Sequence, residues 1–273
     1  MRLDLDHTLG CGQAHRWRLE GGRWEGVLDG RRVSLWMDGG LRWEGVGASV
    51  IERYLRADDD VDSIYREISE DPLVASLVRR YDGLRILRQD PWECTATYVI
   101  ATNANIPRIR GMVESVCRTF GEDLGGGWYS FPSPEAIVDR ADRASGCGLG
   151  YRCDRLVSLA RAVHTGDLDL GAVRDMGYED CVAELKRHPG IGDKVADCIA
   201  LFSLDHLDAF PVDVRIKRVL EESYGQTGTY RRMREFGRER FGRYCGYAQE
   251  FLFMGASGRR SPAPRSPSGT RRC

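Results

Sequence analysis

The chain has 273 residues, 42% of them hydrophobic, which supports a sizeable core in one large domain or two packed ones. Its 40 Lys and Arg residues nearly balance 41 Asp and Glu residues, so overall charge does not mark a nucleic-acid binder and any DNA surface must come from local placement. The nine cysteines include no CxxC pair, which disfavours a disulfide framework and an iron–sulfur cluster and favours a reducing interior.

Residues 1–56 are rich in Trp, Arg and Gly, and three short runs within them alternate apolar and polar residues. Alternation bounded by Gly-Gly and Asp-Gly is typical of strands joined by tight turns. We therefore predict an antiparallel meander in an N-terminal β domain of residues 1–60, with the Trp side chains in its core. The three runs are Arg16–Leu19, Trp24–Leu28 and Arg32–Trp36.

Beyond the meander the apolar spacing becomes helical, so residues 61–255 are predicted to form a helical domain. A glycine-rich loop at Gly125–Gly127 and a proline-rich segment at Phe131–Pro134 interrupt the helical pattern. The predicted fold class is α+β, with a mainly helical core and an N-terminal antiparallel sheet. Predicted helical runs begin near Val61, Glu135, Tyr151 and Tyr178.

Three stretches are biased in charge. Residues Arg231–Arg243 contain six Arg and two Glu, which predicts a locally basic face, and the acidic run Asp58–Asp60 with Asp62 indicates a solvated face or a helix start rather than a metal site. Residues 256–273 carry five Arg and no acid, which predicts a disordered tail that adds nonspecific DNA affinity or does nothing. No signal peptide or membrane-length apolar run is present, so we expect an intracellular protein, in the cytoplasm and nucleoid or in a nucleus.

The most informative segment is a glycine turn between two predicted helices, Cys181–Lys186 and Asp193–Phe202. Pro189 cannot continue a helix, and Gly190 and Gly192 allow positive φ and close backbone approach. The unpaired N–H groups at the start of the second helix form an anion site, which can hold a DNA phosphate without reading sequence.

A lysine and an aspartate accompany this turn. Lys194 lies in the first turn of the second helix, and Asp213 follows 19 residues later, before the predicted helix Val214–Ser223. Each has an ordinary structural interpretation, Lys194 as a solvated surface residue and Asp213 as a helix N-cap. The combination of a phosphate-binding helix start, an amine and a carboxylate nevertheless favours chemistry on DNA. Asp213 can be both a helix cap and a catalytic group.

Several segments in order resemble the 8-oxoguanine DNA glycosylases of the helix-hairpin-helix superfamily. The hairpin has that superfamily's PG-x-G-x-K pattern, followed by a Pro-containing loop that ends in Asp. The resemblance covers roughly residues 5–255. The matching segments are Cys11–Trp17, Leu87–Gly121, Gly148–Arg152, Gly190–Phe202 and Phe210–Val214.

The resemblance implies that Lys194 is the nucleophile and Asp213 its carboxylate partner. A flipped nucleotide exposes its glycosidic bond, a carboxylate can stabilise the cation-like sugar, and an amine can form a Schiff base with the anomeric carbon. The Schiff base acidifies the neighbouring C–H, which permits β-elimination. Because a lysine amine ordinarily titrates near ~10.4, such a nucleophile needs burial or neighbouring cations to stay neutral.

The resemblance also implies how the base and the duplex are held. Cys198 and Phe253 would sandwich the flipped base, Gln249 would bond its Watson–Crick edge, and the Gly12 carbonyl would accept the N7–H that distinguishes 8-oxoguanine from guanine. Cys198 also has an ordinary interpretation as a small core residue. Among the implied DNA contacts, Asn103 would fill the hole left in the duplex and Tyr151 would wedge the duplex open. Arg108 and Arg152 would read the orphaned cytosine. Gly190, Gly192 and Arg215 would lie near phosphate.

Four positions depart from the family pattern. His188 replaces an apolar residue in the hairpin, Ala104 replaces the central Asn of an Asn triplet, Pro107 precedes Arg108, and Arg215 stands where the family has His. None of these changes removes a catalytic group.

The sequence leaves two alternatives, a glycosylase for alkylated purines and a noncatalytic helix-hairpin-helix DNA-binding module. Lys194 argues against the first, and Asp213 with the Gly12 and Gln249 matches argues against the second. We expect a monomer that acts on double-stranded DNA containing oxidised guanine, with no membrane partner, no metal and no cofactor.

Overall fold

The computed structural model describes residues 1–257, which form a four-stranded sheet and fourteen α-helices. The strands are β1 (Arg18–Glu20), β2 (Arg23–Leu28), β3 (Arg31–Met37) and β4 (Leu41–Glu44). The helices are α1 (Leu5–Gly10), α2 (Ala48–Tyr54), α3 (Val61–Ile68), α4 (Pro72–Arg80), α5 (Pro91–Ile100), α6 (Ile106–Phe120), α7 (Pro134–Asp139), α8 (Arg152–Thr165), α9 (Leu170–Arg174), α10 (Tyr178–Leu185), α11 (Asp193–Ser203), α12 (Val214–Tyr224), α13 (Tyr230–Phe241) and α14 (Cys245–Ser257), with 3₁₀ turns at Ala141–Cys147 and Gly242–Tyr244.

The four strands form an antiparallel meander in chain order, so the predicted α+β class and N-terminal sheet are confirmed. Trp24 of β2 pairs with Leu35 of β3, and Leu35 pairs with Trp43 of β4. The sequence interpretation missed β4, whose four residues are too few to display a period and are mostly exposed. It also missed α1 and α2, which have six and seven residues and are likewise shorter than the window that reveals a helical period.

Two hydrophobic clusters hold the described residues together. The smaller cluster packs α1, the sheet and α2, and it contains Trp17 and Trp24, as predicted for these two residues. Trp43 is instead 36% exposed, and Trp36 is covered by the Arg23 guanidinium, 3.9 Å from its ring centre. The larger cluster joins the helices from α3 to α14. The division of the chain into domains at residue 60 stays a prediction.

Side-chain caps explain where many helices begin. Asp60 accepts a hydrogen bond from the Ser63 backbone N–H at 3.2 Å, so the acidic run does mark a helix start, that of α3. Asn105 caps α6 in the same way, with 3.0 Å to the Arg108 N–H. The helix starts matter for function because three of them lie at one cavity. These are the starts of α6, α11 and α12.

The predicted basic face at Arg231–Arg243 is wrong. Most of the stretch forms α13, and five of its six arginines make ion pairs. Four of the five partners are distant along the chain, so these four pairs could not be predicted from the sequence. The pairs are Arg231–Glu235, Arg234–Glu179, Arg238–Asp208, Arg240–Asp71 and Arg243–Glu67.

The predicted tail begins inside a helix, because Ala256 and Ser257 belong to α14. The remainder of that prediction, residues 258–273, lies outside the described residues. Among the helices of residues 1–257, none has both the length and the hydropathy required to cross a bilayer.

Candidate active site

An open cavity of about 900 Å³ collects most of the predicted site residues. Its walls come from the loop after α1, the α5–α6 junction, the hairpin between α10 and α11, the segment before α12, and α14. The predicted residues that line it are Gly12, Asn103, Gly190, Gly192, Lys194, Cys198, Asp213, Arg215, Gln249 and Phe253.

Of the two hairpin glycines, only Gly190 adopts the positive φ that glycine allows, and Gly192 has an extended φ of −98°. Gly190 has a φ of +96°, and a Cβ added there would lie 2.9 Å from the Arg155 side chain, so only glycine fits without displacement. Gly192 is the N-cap of α11 and supplies no side-chain cap, which leaves the first N–H groups of that helix available to an anion.

Lys194 projects from the first turn of α11 into the cavity. Its Nζ lies 5.0 Å from the centre of the buried Tyr98 ring, within the range of a cation–π contact. Cys198, one turn later, is buried; burial raises the pKa of its thiol to about 11, and the adjacent Lys194 charge opposes that rise. The thiol is therefore neutral near pH 7, which suits a packing surface better than a nucleophile.

Asp213 caps α12, as predicted from the sequence. One carboxylate oxygen accepts hydrogen bonds from the backbone N–H groups of Arg215 at 2.9 Å and Ile216 at 2.8 Å. The residue still lines the cavity. A single carboxylate is thus held rigidly at the helix start while facing the same space as Lys194.

The residues predicted to hold the base come from three separate parts of the chain. Gly12 has a φ of +105°, a backbone conformation that favours glycine. Gln249 is buried on α14, and its Oε1 has no hydrogen-bond partner within residues 1–257. Phe253, one turn further along, stacks against the Arg215 guanidinium at 4.8 Å.

The predicted wedge residues form a small cluster beside the cavity. Asn103 adopts a left-handed φ of +52°, and its Nδ2 donates to the Tyr151 hydroxyl at 3.2 Å. Tyr151 is half exposed. Arg152 is buried and donates to the backbone carbonyls of Thr102 at 2.9 Å and Asn103 at 3.2 Å, so in this structure it supports the Asn103 turn.

Arg108, Tyr151 and Arg152 do not belong to the cavity lining, unlike the other predicted site residues. Arg108 is exposed on the first turn of α6. Because no nucleic acid is present, the roles assigned to these three residues stay predictions.

The sequence interpretation overlooked two ionisable residues in the cavity wall. Burial, together with the Arg110 and Lys194 charges, lowers the pKa of His15 to about 4, so its imidazole is neutral. Burial raises the pKa of Glu250 to about 7, with a contribution from Asp213. The sequence could have identified Glu250 as unusual, because it is a lone acid within the mostly apolar run Tyr247–Phe253.

It also overlooked Asp197, which is completely buried on α11 next to the site. Its carboxylate accepts hydrogen bonds from Tyr178 of α10, at 2.5 Å, and from Tyr230 of α13. The Tyr230 hydroxyl also receives the Val212 N–H at 3.4 Å. Asp197 therefore links the hairpin to the segment that carries Asp213.

No group of three or more His, Cys, Asp or Glu residues within the described 257 could hold a metal ion. A small antiparallel sheet, a helical body, and a glycine hairpin that brings an amine and a carboxylate into one cavity together define a helix-hairpin-helix DNA glycosylase.

Comparison with known proteins narrows this class. The family model described as "8-oxoguanine DNA glycosylase, N-terminal domain" matches residues 1–95. An N-glycosylase/DNA lyase of Arabidopsis thaliana is 30% identical, over 92% of this chain and 77% of the relative. The chain belongs to the 8-oxoguanine N-glycosylase/DNA lyase family, which confirms the resemblance found in the sequence.

Solved structures agree with this assignment. The Clostridium acetobutylicum 8-oxoguanine glycosylase/lyase, in complex with duplex DNA containing cytosine opposite 8-oxoguanine, matches with a TM-score of 0.89 at 30% identity and covers 94% of this chain and 92% of that one. The 3-methyladenine DNA glycosylase of Archaeoglobus fulgidus matches with a TM-score of 0.76 at 21% identity and covers 94% of this chain and 96% of that one, a likeness of fold alone.

Proposed function

We propose that this chain excises 8-oxoguanine opposite cytosine from duplex DNA through a Lys194 Schiff base and then cleaves the strand by β-elimination. The observation that carries the proposal is the convergence of Lys194 and Asp213 on one cavity that also contains Gly12 and Gln249. The proposal agrees with the names of the relatives and adds the residues that perform each step.

Recognition begins with phosphate contacts. The free N–H groups at the start of α11 hold a backbone phosphate beside the lesion. The damaged nucleotide leaves the stack and enters the cavity, whose volume of about 900 Å³ accommodates a purine nucleoside. Asn103 and Tyr151 occupy the space that it vacates.

Inside the cavity the base lies between Cys198 and Phe253, with its Watson–Crick edge toward Gln249. The unpartnered Oε1 of Gln249 is an acceptor for the N1–H and N2–H donors of a guanine base. The Gly12 carbonyl accepts N7–H, a donor that 8-oxoguanine has and guanine lacks. Selection of the lesion therefore rests on one hydrogen bond that normal guanine cannot make.

Chemistry then takes place at the sugar. As the glycosidic bond breaks, its electron pair leaves with the base, and the Asp213 carboxylate stabilises positive charge on the sugar. Lys194 gives a proton to the departing base, and its amine bonds to C1′. Transfer of a second amine proton to the ring oxygen opens the sugar ring and gives a Schiff base. Loss of a C2′ proton then expels the 3′ phosphate and cuts the strand.

The partner in this scheme is double-stranded DNA that contains oxidised guanine. Arg108 and Arg152 face the cytosine left behind, for which their planar donor forks are suited. One chain contains the complete catalytic set, so we propose that it acts as a monomer, and its substrate places its activity with genomic DNA inside the cell.

Borohydride trapping tests the proposal directly. Wild-type protein incubated with a duplex containing 8-oxoguanine opposite cytosine should form a covalent complex after reduction, and Lys194→Gln should form none while still binding the lesion. Lys186→Gln is the matched control, because Lys186 lies in the same hairpin, pairs with Asp193 and does not itself line the cavity. Normal trapping by the Lys194 variant would exclude it as the nucleophile.

A further inference from the structure

Glu250 is a buried acid that contacts the Cys11 thiol but leaves one carboxyl oxygen without a partner in the part of the chain that the structure describes. It is 3% exposed on α14, lines the cavity, and its Oε1 has no hydrogen-bond partner among residues 1–257. An acid buried in this way is expected to have a partner, and a structural role would supply one from the protein itself. The Cys11 thiol meets this expectation for the carboxyl as a whole, but Oε1 still has no partner among the described residues, which points to a group that enters the cavity.

The position of Glu250 identifies the part of a base that it would meet. On one side it follows Gln249, which we assign to the Watson–Crick edge. On the other side its carboxyl lies beside the Cys11 thiol, directly before Gly12, whose carbonyl we assign to N7–H. In a guanine base the O6 atom lies between N1 and N7. A side chain between these two readers consequently faces O6.

The charge state decides whether this contact is attractive. O6 is only an acceptor, so it needs a donor, and a carboxyl donates only when it is protonated. Burial raises the pKa of Glu250 to about 7, so the neutral acid is well populated at physiological pH. The titratable groups near it are Cys11, Tyr98 and Asp213. The hydrogen bond with Cys11 lowers the pKa of Glu250, and the Asp213 charge raises it, but burial is the largest effect.

We propose that Glu250 is a further specificity-determining residue, whose protonated carboxyl donates a hydrogen bond to O6 of the flipped 8-oxoguanine. The inference rests on the proposed function. It predicts that base recognition is lost as pH rises and Glu250 ionises, because a carboxylate cannot donate and repels O6. A 6-aminopurine would lack the matching acceptor.

Binding measurements with the purified full chain test this inference. Lys194→Gln serves as the parent, since it prevents excision, and E250Q and E250L are added to it. Gln keeps an N–H donor that does not titrate, whereas Leu removes the donor. Affinities are measured between pH 6 and pH 8.5 for three duplexes with cytosine opposite 8-oxoguanine, an abasic analogue or normal guanine.

The parent should lose about tenfold of its preference for 8-oxoguanine over the abasic analogue across this range, as expected for one hydrogen bond. For E250Q, the preference for 8-oxoguanine over the abasic analogue should not change with pH. For E250L, this preference should be low at every pH. The inference is overturned, with the proposed function intact, if E250Q keeps the parent's pH dependence or the parent shows none. Equal affinity of the parent for all three duplexes at every pH would overturn the proposed function together with this inference.

Discussion

At the scale of single residues, Asp213 combines two duties in one carboxylate. The two backbone N–H groups at the start of α12 hold it in place, while it faces the cavity that contains Lys194. Such pre-organisation is what makes electrostatic stabilisation effective, because the charge does not have to reorient during the reaction. The cap and the catalytic role can be separated by a substitution that preserves only one of them.

Asp213→Asn keeps a capping side chain and removes the charge. We expect excision of 8-oxoguanine in single-turnover assays to slow by about 10²–10³-fold, while the thermal midpoint stays close to that of the wild type because Asn caps as well as Asp. Asp90→Asn is the control, since Asp90 caps α5 away from this cavity. A rate near that of the wild type would reduce Asp213 to a cap.

Arg108 offers a second test at this scale. It is exposed at the start of α6, so Arg108→Ala should leave folding intact and narrow the preference for cytosine over adenine opposite 8-oxoguanine. Arg152→Ala should have a broader effect, because Arg152 also supports the Asn103 turn. Excision rates on the four opposite-base duplexes distinguish base reading from a phosphate contact, which would weaken all pairings about equally.

At the scale of secondary-structure elements, α11 is the centre of the site. Its first turn carries Lys194, its next turn carries Cys198 on the cavity wall, and Asp197 faces the other way toward α10 and α13. The hydrogen bonds from Tyr178 and Tyr230 to Asp197 fix the orientation of the hairpin. Catalytic geometry and stability therefore depend on one short helix.

Asp197→Ala should lower the free energy of unfolding by about 2–4 kcal/mol, because both tyrosine hydroxyls lose a buried acceptor. Denaturant unfolding measures this effect. Thr165→Ala at the exposed end of α8 is a comparison substitution that should cost little. An unfolding free energy within about 0.5 kcal/mol of the wild type would contradict a structural role for Asp197.

Asp197 also predicts a pH effect on stability. Burial raises its pKa to about 6, so between about pH 4 and pH 6 the native state binds a proton that the unfolded state has released. The stabilisation linked to that proton is complete below about pH 4 and is lost as pH rises through 6. Asp197→Asn cannot titrate, so it does not gain this stabilisation at low pH. The variant should therefore be less stable relative to the wild type at pH 4 than it is at pH 7. A constant difference would contradict the raised pKa.

At the scale of the whole molecule, the placement of charge indicates which surfaces of this nearly neutral protein are available to DNA. Most arginines of α13 form ion pairs with carboxylates, so this stretch cannot serve as a general DNA surface. We therefore expect binding to depend on the helix start at the hairpin and on a few arginines near the cavity. Affinity for undamaged duplex should accordingly be modest and should involve few phosphates.

Removing residues 258–273 tests the contribution of the arginine-rich C-terminal segment without shortening α14. Affinity for undamaged duplex should fall with salt in both proteins, and the logarithmic slope should be smaller by about one to three for the truncated chain if its five arginines contact phosphates. Preference for 8-oxoguanine should not change. Identical slopes in a salt titration would show that the segment is inert in binding.

The sequence by itself determined the features that depend on local chemistry. Strand alternation, the glycine turn, the position of Lys194 and the cap at Asp213 all follow from neighbouring residues, so the meander and the hairpin were predicted. The resemblance to the family added the other predicted residues that line the cavity. Short elements such as β4 were missed because four residues cannot display a period.

Only the tertiary structure decided the properties that depend on distant partners. Most arginines of α13 lie beside carboxylates that are far along the chain. Arg152 donates to the backbone carbonyls of Thr102 and Asn103, which are also distant in sequence. The neutral state of His15 and the raised pKa of Glu250 arise from burial and from charges brought close by folding. Electrostatic energy depends on distance and solvent exposure, neither of which can be read from the order of residues.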